Sequence, residues 1–377
     1  MKKFLFILTT GFALFSMFFG AGNLVYPLKL GLNTQENCMT AVAGFSLTAV
    51  LVPLLGFLAM ILFEGDWRAF FGKIGTRSGL ALVTLILCVF GPFGGIPRCI
   101  ALSYASVHEV FPDLSLAFFS FLACVIIFAL TYRENRIIQL LGKVLTPLLL
   151  VTLSLVLVTG LFSEHTFTLA TENPGKHFFS GMQEGYQTLD LLAALLFSAF
   201  LYPTLVKHEK NNLLSLGCKV ALVCGLLLTV TYTGFCYLAG ANSAVLGTSP
   251  NELMLVTLSG HFLGEESAKV TMLLVTLACL TTAIVLAAIF SEFVKKDVLK
   301  EKVRYEYCLG ATLFVSFFFA TLSFNGIVSM LAPVLEICYP ALIVLCVLNS
   351  CHKLFGFQYV KSSFFVALGG TILAIYY

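Results

Sequence analysis

The chain has 377 residues, of which 59% are hydrophobic and 11% charged, with a formal net charge of +3 and a mean hydropathy of +0.97. A water-soluble domain carries about 25% charged residues, so the composition excludes one and predicts an all-α polytopic membrane protein. The 12 cysteines, among them Cys88, Cys124, Cys224, Cys279 and Cys346, sit almost entirely in apolar runs without a C-x-x-C pair, and read as small core residues rather than a disulfide framework. The basic residues gather in particular loops, so the excess charge offers no nucleic-acid surface.

Hydropathy predicts about eleven spans, roughly 4–30, 39–63, 78–107, 113–131, 140–162, 178–206, 213–240, 267–292, 304–322, 327–349 and 357–377. The start Met1-Lys2-Lys3 could mimic a secretory signal, but the run continues past Val25 without a small-residue cleavage site, so the first span is expected to be retained. A helix of about 20 residues crosses a bilayer and this run of about 27 has length to spare. The surplus surrounds Gly20-Ala21-Gly22-Asn23. Lipid cannot replace lost backbone hydrogen bonds, so an interruption there is expected to face protein or a polar cavity.

Alternate gaps hold nearly all the Lys and Arg: Arg68, Lys73 and Arg77; Arg133, Arg136 and Lys143; Lys207, Lys210 and Lys219; Lys295 to Arg304; Lys353 and Lys361. With Lys2 and Lys3 these define the cytoplasmic side and place the N-terminus inside, leaving only Lys29, Lys176 and Lys269 opposite. The absence of a Pro/Gly/Ser-rich linker predicts a single membrane domain. Two gaps, 163–177 and 241–266, are longer than turns. In the second, Ser249-Pro250-Asn251-Glu252 has the form of a capping box and predicts a short external helix. It reads either as a cap over an outward vestibule or as an ordered loop.

The sixth span is interrupted at Glu184-Gly185-Tyr186-Gln187-Thr188-Leu189-Asp190, which puts two carboxylates, an amide and two hydroxyls into apolar sequence. Broken spans one and six open two successive groups of five helices, and corresponding interruptions in two halves point to the binding site of an inverted-repeat transporter. The repeats would run over about 4–162 and 178–349, with an extra helix at about 357–377. Half-helix N-termini would face an anionic group, and freed carbonyls a cation. In the eighth span, Thr281 and Thr282 are placed to flank a cation with a carbonyl one turn earlier. They equally suit hydroxyls bonded to the preceding helical turn, with no ion involved.

Four segments carry a resemblance: Phe15-Ser16-Met17-Phe18-Phe19-Gly20-Ala21-Gly22-Asn23-Leu24 with Tyr26-Pro27; Gly91-Pro92-Phe93-Gly94-Gly95-Ile96-Pro97-Arg98; Glu184 to Asp190; and Leu280-Thr281-Thr282-Ala283. In this order they resemble the bacterial branched-chain amino acid:cation symporters, the LIV-II carriers, a branch of the amino acid, polyamine and organocation superfamily. The resemblance implies a leucine-transporter-like five-plus-five inverted repeat in the cell membrane. It also implies uptake of leucine, isoleucine and valine coupled to sodium, or in some members to protons, with no further cofactor. By matched position, amides around Gly20, Ala21, Gly22 and Asn23 would hold the substrate carboxylate. Carbonyls around Tyr186 and Gln187 would take the ammonium, and the side chains of Tyr186, Gln187 and Thr188 would border the aliphatic tail. The sodium ligands implied are the carbonyls of Ser16, Phe19 and Ala278 and the hydroxyls of Thr281 and Thr282. Many members have twelve spans; this chain stops at Tyr377, which would put the C-terminus outside.

Arg98, in the third span, would cost at least a few kcal/mol at mid-bilayer unless paired or wet. Its expected partner is Asp190 or Glu184, in a pair that either opens during transport or locks helices three and six together. Glu336, in the tenth span before Pro340, would relay protons if buried and is simply solvated if near an end. A channel would require rings of charge or a carbonyl filter, and neither appears. An enzyme would require a nucleophile and base, yet His108, His165, His177, His208, His261 and His352 lie at span ends or in loops. The alternative within transport is a proton-coupled carrier of another amino acid or small zwitterion, working through Asp190 or Glu336.

Overall fold

The computed structural model describes residues 2–132, 150–151, 153–162 and 174–376, and among these the regular structure is entirely helical. Arg133, Arg136, Lys143 and most of the 163–177 loop lie outside the described residues. The first span is two helices, α1 (Lys2–Phe18) and α2 (Ala21–Thr34), parted at Phe19-Gly20. The second starts as α3 (Cys38–Ser46), widens into a π turn over Leu47–Leu51 and continues as α4 (Val52–Leu62). Pro53 sits just after that turn; it has no N–H to give and its ring crowds the preceding carbonyls, which the wider turn accommodates. A short helix, α5 (Trp67–Gly72), follows, with the Asp66 carboxylate accepting from the Arg68 and Ala69 amides at 2.8 and 3.1 Å.

The third span, expected to be continuous, is also broken. It consists of α6 (Thr76–Phe90) and α7 (Gly95–His108), with a turn at Gly91-Pro92-Phe93-Gly94. Pro92 donates no hydrogen bond, so the Phe93 and Ile96 amides reach five residues back, to Cys88 at 3.0 Å and Gly91 at 3.1 Å. Hydropathy runs through this break because its residues are themselves apolar or glycine. After α8 (Leu116–Tyr132) and the helical residues 153–161 (α9), the sixth span divides into α10 (Pro174–Tyr186) and α11 (Asp190–His208).

The remaining helices are α12 (Leu213–Ala241), the short α13 (Ser243–Leu246), α14 (Met254–Leu263), α15 (Glu265–Phe293), α16 (Tyr305–Ala320), α17 (Ser323–Phe355) and α18 (Val360–Tyr376). A short helix does follow the Ser249-Pro250 segment, as α14, but its start differs. A 3-10 turn over Asn251–Leu253 leads in, and the Ser249 hydroxyl meets that of Thr257 at 3.3 Å instead of capping an amide. Among the described residues, six stretches, such as Leu213–Ala241 and Ser323–Phe355, are long and apolar enough to cross a membrane; α1, α8, α16 and α18 are shorter apolar helices. Leu222, Leu226 and Val230 form an exposed stripe at four-residue spacing on α12, and Phe118, Phe121 and Val125 are exposed on α8. Apolar surface of this kind turns outward only where lipid is the solvent.

Among the described residues, spans one to four each pack against the span five places later. At one end of spans one and six, Lys3 pairs with Glu209 and the Phe6 ring stacks on His208; on the far side of the breaks, Lys29 pairs with Glu184 at 2.6 Å. The two spans are therefore antiparallel, with their breaks at one level. Spans two and seven are antiparallel too: the Cys236 thiol donates to the Cys38 carbonyl at 3.6 Å, while Gly217 lies against Ile61. In spans three and eight, Ser103 Oγ meets the Thr276 carbonyl at 3.5 Å and Gly95 abuts Leu286. The helices sort into two groups, α1–α4 with α10–α12 and α7–α8 with α15–α16, while α17 touches α4, α7 and α18.

Small residues permit the tightest of these contacts. A Cβ on Gly181 of α10 would drive into the Ala41 carbonyl, and one on Gly44 of α3 into the Phe178 carbonyl. Gly181→Val is expected to abolish the monodisperse folded peak in fluorescence-detected gel filtration. Gly310→Ala, with open space around the added methyl, should leave the peak and its thermal midpoint at or above wild type.

Candidate functional site

The breaks in spans one and six face each other through one side chain. Gly20 ends the non-helical link, and its amide donates to Asn23 Oδ1 at 3.0 Å, half of a capping box in which glycine has no side chain to return. Asn23 is fully buried, and its Nδ2 donates to both Asp190 oxygens, at 2.9 and 2.8 Å, and to the Tyr232 hydroxyl. Tyr232 in turn donates to Asp190 Oδ2 at 3.0 Å. A carboxylate only accepts, so the amide orientation is fixed by its neighbours. Asp190 is the first residue of α11, where the helix N-terminus also favours negative charge.

The chain reaches Asp190 through Leu189, held at φ 65° in the left-handed region. A branched side chain there stores about 1–3 kcal/mol of strain that the surrounding packing must offset. Thr188 braces the turn: its hydroxyl donates to the Gly185 carbonyl at 2.9 Å and accepts from the Asp190 amide at 3.4 Å. Gly22 presses on this same turn. A Cβ there would sit 3.0 Å from Thr188 Cα and 3.1 Å from the Gln187 carbonyl oxygen. Its missing side chain thus serves the approach of two backbones, whereas sequence reasoning assigned it to the approach of a ligand.

The ion pairs differ from expectation. Arg98 meets neither Asp190 nor Glu184. Its Nη1 donates to the Gln187 carbonyl at 2.7 Å and its Nη2 to Gln187 Oε1 at 2.8 Å, with the guanidinium 5.7 Å from the centre of the Tyr26 ring. Glu184 pairs instead with Lys29. The reason is depth: Glu184 and Lys29 lie in the half-helices on one side of the breaks, while Arg98 reaches the break itself, where a freed carbonyl is the nearest acceptor. The Gln187 carbonyl expected to be open to an ammonium is therefore engaged, and the Tyr186 carbonyl accepts from Leu189 at 3.3 Å. The Tyr186 ring packs on Tyr339, with centroids 4.8 Å apart.

In the eighth span, both Thr281 and Thr282 donate to the Ala278 carbonyl, at 2.8 and 3.0 Å. Their hydroxyl oxygens keep lone pairs, but both acceptor positions on Ala278 are in use. Thr282 stands beside the first break, its methyl 3.8 Å from where a Cβ on Gly20 would be. A cavity of about 40 Å³ joins these parts, with Gly20 to Asn23, Arg98, Thr188, Asp190 and Thr282 at its polar walls and Phe18, Phe90, Phe197 and Leu286 at its apolar ones. Ser16, Phe19, Thr281, Ala278 and Glu336 do not line it. Glu336 is half-buried in α17. Sequence reasoning missed Tyr232; the signal was the hydroxyl-rich run Thr229 to Thr233 inside an apolar span.

A sequence family described as branched-chain amino acid transport protein matches residues 4–376. The chain belongs to this family. The branched-chain amino acid permease BrnQ of Corynebacterium glutamicum is 31% identical over 350 residues, covering 91% of this chain and 80% of that protein. BrnQ of Bacillus subtilis is 30% identical, with 93% and 82% covered, and BraB of the same organism is 28% identical, with 92% and 80% covered. Among solved structures the fold resembles that of Mhp1, a nucleobase-cation-symport-1 family transporter. The closed conformation with bromovinylhydantoin bound has a TM-score of 0.66 at 14% identity, covering 92% of this chain and 78% of that one. The inward facing conformation scores 0.65 at 13% identity, with 91% and 77% covered. The transporter thus has a leucine-transporter-like fold with interrupted helices one and six.

Removing Asn23 takes from Asp190 the amide that donates to both its oxygens, and a hydrogen bond to a charged group is worth about 1.5–3 kcal/mol. Asn23→Ala is expected to lower the thermal midpoint of the purified transporter and weaken leucine binding. Gly22→Ala should reduce uptake while leaving the gel-filtration peak in place, since its methyl displaces only the Thr188 turn.

Proposed function

We propose that the transporter takes up leucine, isoleucine and valine together with a cation, by alternating access across the bacterial cell membrane, with its N-terminus cytoplasmic. The observation that carries this reading is the level pair of breaks bridged by Asn23, Asp190 and Tyr232, beside a cavity lined by both polar and apolar side chains. That polarity suits a zwitterion with an aliphatic tail. The cavity is small, about 40 Å³. An aliphatic amino acid enters it only if the walls part, which is the movement alternating access provides.

The proposed movement separates the two helix groups, because each is closely packed within itself and Arg98 reaches from one to the break of the other. Sodium is the proposed coupling ion, held by the carbonyls of Ser16, Phe19 and Ala278 and the hydroxyls of Thr281 and Thr282. Support comes from the placement of Thr282 at the first break. Binding there requires a threonine to release the Ala278 carbonyl, a rearrangement confined to one hydroxyl rotation. Each unit charge moved inward gains about 2.3 kcal/mol per 100 mV.

Purified transporter in liposomes is expected to accumulate radiolabelled leucine under an inward sodium gradient. Uptake that follows an inward proton gradient alone would transfer coupling to Asp190, and no leucine uptake by folded protein would point to another zwitterion. Thr281→Ala combined with Thr282→Ala should raise the sodium concentration for half-maximal uptake; an unchanged value removes the ion from this site.

A further inference from the structure

Arg98 and Asp190 are charged side chains on the wall of one cavity, 2% and 1% exposed, and neither has an oppositely charged partner among the described residues. Elsewhere the half-buried charges of these helices do pair, as Lys29 and Glu184 show. Arg98 donates hydrogen bonds only to neutral acceptors, both on Gln187, its guanidinium lies over the Tyr26 ring, and its Nε–H has no partner. Neutral dipoles solvate a guanidinium but do not cancel its charge, and at this depth water is scarce. The cavity therefore presents one cation and one anion that are kept from each other, with apolar rings alongside.

We infer that Arg98 is the binding residue for the α-carboxylate of the transported amino acid, and that Asp190 holds its α-ammonium. A guanidinium offers paired donors matched to a carboxylate, so one zwitterion completes both half-satisfied charges while its tail meets Phe18, Phe90, Phe197 or Leu286. Gln187 occupies the guanidinium until then. A substrate carboxylate displaces that amide and releases the contact between α7 and the break of the sixth span, so binding is linked to the interface on which the two helix groups move. This assignment rests on the reading of the central cavity as the transport site, and it shifts the carboxylate from backbone amides alone to a side chain of the third span.

The test is equilibrium binding of leucine, of leucinol, which lacks the carboxylate, and of 4-methylpentanoate, which lacks the amine, to the purified full chain. Wild type should prefer leucine to leucinol by about 30-fold or more, the weak end of what losing one member of a buried charged pair costs. Arg98→Gln should erase that preference while leaving leucinol binding in place. Asp190→Asn should instead narrow the gap between leucine and 4-methylpentanoate. Gln187→Glu, which gives Arg98 an internal carboxylate and so favours folding, should also collapse the preference for leucine over leucinol. A preference unchanged in Arg98→Gln, or in Gln187→Glu should Arg98→Gln not fold, overturns the assignment. Folded wild type that binds none of the three compounds overturns the transport reading itself, a distinct result.

Discussion

The polar groups around the central cavity follow from one constraint: a backbone group freed within a bilayer must find its partner in protein. Among the described residues three spans are broken, and particular side chains dress the breaks of the first and the sixth. Asn23 accepts the Gly20 amide, Thr188 accepts the Asp190 amide and satisfies the Gly185 carbonyl, and Arg98 caps the Gln187 carbonyl. Thr48, in the π turn of the second span, donates to the Met182 carbonyl at 2.9 Å. The third break supplies its own partners by reaching five residues back. Polar residues thus gather where the first and sixth spans stop, and those stops coincide at the central cavity.

Charge obeys the same rule in two ways. Where Lys29 and Glu184 keep 27% and 17% of their side chains exposed, opposite charges meet directly at 2.6 Å. Deeper, Asp190 is held by an amide, a phenol and a helix N-terminus, and Arg98 by an amide and a π face. A direct Arg98 to Asp190 pair would recover more attraction, and it would also fill the cavity with a bond that any ligand must break. Solvating each charge by groups that are polar but neutral keeps both in place at smaller cost to a ligand that displaces them.

The breaks in spans one and six were legible because Gly20, Gln187 and Asp190 interrupt apolar runs, and hydropathy is a direct readout of what lipid tolerates. The third break was hidden: Gly91, Pro92, Phe93 and Gly94 are as apolar as the helix around them. Partners were less legible than positions. Sequence pairs charges by sign, so it matched Arg98 with Asp190 or Glu184, whereas the fold offers Arg98 a carbonyl that exists only because the helix is broken. Tyr232 escaped for a related reason, since one phenol in a span reads as a hydrophobic ring until its hydroxyl is placed against Asp190.

The antiparallel pairing of spans one and six also restricts how the proposed motion is distributed. Lys3 with Glu209 at one end and Lys29 with Glu184 beyond the breaks tie the same two spans together, and Asn23 joins them at the centre. The outer pair is within one helix group, so parting it would shear α2 from α10 without opening a path past α7 or α15. Between the groups, by contrast, the hydrogen bonds that reach the cavity wall come from Arg98 alone to Gln187. In the proposed motion the first and sixth spans therefore travel as a unit, and the guanidinium is the contact whose state changes as they do.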